Sequence, residues 1–103
     1  MQEDMVSRLA RFFPAASPLR LPVRIIREPG LHPEQESTVI EFGTAHEIFF
    51  SSALPLEFAE ILRVRSANQS LDVPVQVVAV QYHEGQLAVA ARFMEEVRNW
   101  ILK

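Results

Sequence analysis

The groups in this 103-residue chain that could carry chemistry are three histidines, thirteen carboxylates and ten lysines or arginines. Their spacing decides what chemistry is open to them. Two histidines precede a glutamate, at His46-Glu47 and His83-Glu84. A helical H-E-x-x-H zinc site needs its second histidine one turn further on, and those positions hold Phe50 and Leu87. With no cysteine there is no thiolate site or disulfide either. The carboxylate pairs Glu95/Glu96 and Glu57/Glu60 could divide acid and base work only if burial separated their pKa values, and both read as solvated helix or corner positions. No nucleophile elbow, P-loop or dinucleotide-binding glycine pattern occurs, and three glycines could hardly build one. The expectation is a chain that is not an enzyme, with no catalytic residues and no metal site.

Charge is distributed unevenly. Arg8, Arg11, Arg20, Arg24 and Arg27 concentrate positive charge in the first quarter, whereas Pro29 to Ile61 carries Glu34, Glu36, Glu41, Glu47, Glu57 and Glu60 and no lysine or arginine. Net charge is -3 and the pI is near 5.6, which argues against binding to DNA or RNA through a basic face. Arg20 and Arg24 are four residues apart on one face of an alternating segment, where guanidinium forks could grip phosphate.

The elements that would position these groups follow from periodicity. Met5, Leu9 and Phe12, with Val6 and Phe13 beside them, recur at helical spacing until Pro14, and predict an amphipathic helix. Leu21, Val23 and Ile25 alternate with Arg20, Pro22 and Arg24 as in a half-buried strand. Further strands are predicted over Thr38 to Phe42, Glu47 to Ser51, Ile61 to Arg65, Val73 to Tyr82 and Leu87 to Phe93. Pro74 must lie at an edge or a bulge because it cannot donate to a ladder. Met94 to Lys103 reads as a short closing helix, with Glu95 and Glu96 in its first turn. One domain is expected, residues 1–17 forming a helix and connector and 18–103 a barrel with its terminal helix. Six short strands joined by hairpin-length turns predict a mainly β fold, an antiparallel barrel that closes its own edges. At 49% hydrophobic and 22% charged residues the chain can build one core. No apolar run is long enough to span a membrane and Met1 to Phe13 lacks a signal-peptide pattern, so a cytoplasmic location is the default expectation.

Three segments together resemble the PilZ domain: Arg20-Leu21-Pro22-Val23-Arg24-Ile25, Thr38 through Phe50, and the corner Ala53-Leu54-Pro55-Leu56. The valine-rich Val77-Val78-Ala79-Val80, the run Ala88 to Phe93 and Asn99-Trp100 look like that family's later parts. The resemblance covers about residues 18 to 103 and implies a six-stranded antiparallel split barrel that binds cyclic di-GMP through RxxxR and DxSxxG motifs. Carried over by position, Glu41 stands at the Asp place, Gly43 at the Ser place and His46 at the final Gly place; Arg20 as the second arginine of the pair leaves Ala16 as the first, while Arg20 and Arg24 have the spacing by themselves. The resemblance thus implies a non-catalytic module of bacterial cyclic di-GMP, motility or surface-attachment signalling. The substitutions point it toward a protein partner or self-association, with no cofactor. The alternative is a genuine cyclic di-GMP receptor using Arg20 and Arg24.

Overall fold

The computed structural model describes residues 4–27, 33–98 and 100. One short helix, α1 (Met5–Ala10), precedes six strands: β1 (Ser17–Arg27), β2 (Glu34–Gly43), β3 (Glu47–Ser52), β4 (Ile61–Ser66), β5 (Asp72–His83) and β6 (Gln86–Phe93). The strands pair antiparallel in the order β1-β2-β3-β6-β5-β4, and β4 returns to β1 to close a barrel. The fold is therefore the mainly β, six-stranded barrel that the alternating segments predict.

Alternation supplies the interior. Val23 and Ile25 from β1, Ile40 from β2, Ile48 and Phe50 from β3, Leu62 and Val64 from β4, Val73, Val75 and Val77 from β5, and Val89 and Ala91 from β6 form one buried cluster. β3 and β6 are buried on their outer faces too, because α1 lies across them: Val6, Leu9 and Ala10 cover Phe49, Ala88 and Ala90. Alanines at 88 and 90 let the helix approach closely, and Phe13 meets Phe49 edge to face with centroids 4.8 Å apart. This double burial explains why Ile48-Phe49-Phe50 and Ala88 to Ala91 read as continuous apolar runs.

Local chemistry sets the ends of these elements. Asp4 caps α1 by accepting a hydrogen bond from the Ser7 amide at 2.8 Å. The helix stops at Ala10, short of the expected Phe13, and the amides of Phe12 and Phe13 reach back only three residues. Pro14 drives the residue before it out of helical conformation. The β5–β6 hairpin turns on Glu84 and Gly85 at φ of 50° and 85°, the two-residue turn whose twist suits the strands. Pro74 pairs with Arg63 of β4, while on the β6 side its carbonyl accepts from the Met94 amide, beyond the end of β6. Its missing donor thus falls where the ladder has already ended. Met94 to Arg98 is irregular and not helical; Asn99 and residues 101–103 of the expected closing helix lie outside the described residues.

Candidate functional site

Of the residues singled out by position, Arg20, Glu41, Gly43 and His46 gather at one end of the barrel around β1, β2 and the β2–β3 turn. Arg24 does not join them. Glu41 sits at a double irregularity: Leu19 and Arg20 together oppose it across β1, and it is the extra residue between Ile40 and Phe42 in the pairing with β3. Bulges re-aim side chains, and this one brings Glu41 into a half-buried position. Burial raises its pKa above the ordinary value of 4.5, the Asp4 carboxylate pushes the same way, and the Arg20 charge partly offsets both.

Gly43 is sealed. A Cβ added there would meet the Trp100 ring at 2.5 Å and Leu19 at 3.1 Å. Trp100 packs edge to face on Phe93, with centroids 5.2 Å apart, and its indole N–H donates to the Thr44 carbonyl at 3.0 Å. Glycine is needed because an indole occupies the space above it. The residue that the resemblance puts at the serine place is thus covered by the protein's own tryptophan.

The turn that follows is self-satisfied. The Thr44 hydroxyl oxygen accepts from the amides of His46 and Glu47 at 2.9 and 2.8 Å and donates its proton to the Glu47 carboxylate. Glu47, buried at this end, also accepts from the Arg92 guanidinium at 2.9 and 3.2 Å. The carbonyl of His46 accepts from the Phe93 amide, leaving only its imidazole exposed. A hollow of about 1010 Å³ beside His46 is edged by Arg92, Glu95, Glu96 and Arg98. Its cations are engaged, Arg92 by Glu47 and Arg98 by Glu96 at 3.0 Å. No buried side-chain polar atom among the described residues lacks a partner, and no group of histidines and carboxylates among them could hold a metal ion.

The acidic stretch is neutralised from outside itself. Arg27 binds Glu60 at 2.5 Å and Glu34 at 2.9 Å, tying the end of β1 to the start of β2 and to the corner before β4. Glu36 accepts from the Ser52 hydroxyl at 2.6 Å and the Ala53 amide at 2.7 Å. What the sequence presents as a run of unmatched carboxylates is largely a set of internal struts.

Arg24 lies on the outer wall of β1, opposite Ser37 of β2 and Arg65 of β4. Four residues of strand separate it from Arg20, about 13 Å at the usual rise, and Arg24 faces Arg65 across the ladder while Arg20 lies beside Glu41. Sequence reasoning missed two features of the site. Arg65 alternates with Leu62 and Val64 just as Arg63 does, and nothing local links it to Arg24. Trp100 read as an aromatic at the chain's end, and only the bareness of Gly43 hinted at what it covers. A separate hollow of about 670 Å³ between α1 and the β5–β6 hairpin is lined by Met5, Arg8, Phe12 and Tyr82, with the two aromatics 73% and 74% exposed.

No family model and no curated protein matches the sequence. Among solved structures, the inhibitor of motility from Bacillus subtilis (MotI/DgrA), a PilZ-type protein, is similar, with a TM-score of 0.60 over 96% of this chain at 16% identity. Likeness at that identity concerns the fold. The chain spans 46% of the length of that protein.

Proposed function

We propose that this PilZ-like barrel is a non-catalytic regulatory module of motility or surface-attachment signalling that acts through protein contacts. The observation that carries the reading is the Trp100 indole lying over Gly43, with the adjoining turn bonded to itself and its cations engaged by carboxylates. A nucleotide entering there would have to displace an aromatic side chain and break the half-buried ion pair of Glu47 with Arg92. The likeness to a motility inhibitor supports the signalling context. Phe12 and Tyr82, exposed beside Arg8, supply the side-chain types that dominate binding energy at protein interfaces. Cyclic di-GMP is the ligand of the competing reading, favoured by the position of Arg20 beside Glu41.

Calorimetric titration and a swimming assay test the proposal together. Cyclic di-GMP is expected to give no heat up to millimolar concentration. Expression of the chain in a swimming bacterium is expected to change the swimming zone, and F12A/Y82A is expected to remove that effect without lowering the melting temperature. Micromolar binding that disappears in R20A would overturn the proposal in favour of a receptor.

A further inference from the structure

We propose that the outer wall of the barrel at Arg24 and Arg65 is a binding site for the phosphate group of a small phosphate ester, separate from the sealed end of the barrel and independent of the protein-contact reading. Arg24 and Arg65 are directly opposite each other on β1 and β4, and side chains so placed have Cβ atoms about 4.5–5.5 Å apart. Both point to solvent. Like charges facing each other across a ladder destabilise it, so a sequence that keeps two guanidiniums here retains an unfavourable contact that a bound anion would turn favourable.

Local carboxylates supply that relief only in part. Asp72 on β5 is held by Arg63 at 2.7 Å and stands 3.4 Å from Arg65; this one acid serves two arginines, which hold its pKa below the ordinary value. Arg24 has no hydrogen-bonding or carboxylate partner among the described residues. Asp72 therefore serves Arg63 and Arg65, and Arg24 is left without a carboxylate. Glu36, next along β2, is turned away and engaged with Ser52 and Ala53.

The surface between the two arginines is a hollow of about 400 Å³, within the range of about 300–1,000 Å³ usual for small-ligand sites. Ser37 and Gln69 add polar groups at its margins, and Pro22 and Ala67 add apolar surface for the organic part of an ester. A carboxylate offers two oxygens in one plane, as Asp72 does to Arg63 and Arg65, whereas a phosphate presents its oxygens around a tetrahedral centre and can engage forks from two sides of the hollow. That difference selects a phosphate over a carboxylate.

The test uses the full chain and follows the arginine Nε–H signals by NMR, with inorganic phosphate and then glycerol 3-phosphate as probes, against chloride at equal ionic strength. Saturable shifts confined to Arg24 and Arg65 are expected, with glycerol 3-phosphate bound at least as tightly as phosphate. R65Q and R24Q are each expected to weaken binding about tenfold, the loss of one charged hydrogen-bonding partner. Melting separates this from a structural role: R24Q, which removes repulsion without the loss of an ion pair, should match or exceed the unmodified chain in chloride, and both variants should lose the rise in melting temperature that phosphate gives. Equal, unsaturable shifts at all arginines, or no difference between phosphate and chloride, would overturn the site. Retention on phosphatidylglycerol vesicles with no response to either soluble probe would assign the phosphate to a lipid head group and overturn the small ester.

Discussion

At the scale of single residues, the barrel end at the β2–β3 turn is defined by substitutions whose consequences depend on contacts. Gly43 leaves room for an indole, Thr44 satisfies two amides and a carboxylate, and Glu41 sits half-buried at a bulge beside Asp4 and Arg20. Glu41 should make stability depend on pH in a defined sense. Its folded-state pKa lies above the ordinary 4.5, so the folded protein holds this proton more tightly than the unfolded chain. The associated stability is complete below the ordinary value and is lost as pH rises through the folded value. E41Q, uncharged at every pH, is expected to be more stable than the unmodified chain at neutral pH, with the advantage vanishing below 4.5; urea unfolding across that interval measures it. An advantage that grows on acidification would contradict the assignment.

At the scale of elements, α1 is too short to persist alone and owes its existence to the surface it covers. Leu9 is 3% exposed and packs with Val6 and Ala10 over Phe49, Ala88 and Ala90. Leu9→Ala is expected to cost about 2–3 kcal/mol, the lower part of the range for such truncations because one helical turn can settle into the gap. Chemical denaturation gives that figure, and binding of a hydrophobic dye should rise as the outer faces of β3 and β6 are uncovered. A loss under half a kcal/mol would mean that the helix does not stabilise the barrel. The elements themselves were legible in the sequence because period-two alternation and turn chemistry are local. Ile48-Phe49-Phe50 shows the limit: a run without alternation identifies a strand buried on both faces but not what buries its second face.

At the scale of the whole molecule, closure is what holds the barrel together, and β1 is its keystone, pairing with β2 on one side and β4 on the other. Prolines are tolerated where a ladder has ended, as at Pro74, or not begun, as at Pro22, which precedes the pairing with β4. Ile25 has no such freedom: it is wholly buried and lies opposite both Glu36 and Val64. Ile25→Pro removes a ladder donor and a core side chain together, and should cost more than about 4 kcal/mol, beyond the ordinary range of single substitutions. The expected result is loss of a cooperative melting transition and thioflavin-positive association through opened strand edges; a soluble variant with a sharp transition would show that closure at β1 is dispensable.

Local pattern sufficed for the six strands, the leading helix and the absence of known catalytic spacings, because each depends on neighbours a few residues away. Glu41, Gly43 and His46 are singled out only through the resemblance to the PilZ domain, and they lie within one strand and turn. The closed barrel was needed to show that Trp100 covers Gly43, that Arg27 and Arg92 reach into the acidic stretch, and that Arg24 faces Arg65 and not Arg20. Those partners are separated by tens of residues, and strand register across the closed barrel, which no local pattern encodes, brings them together.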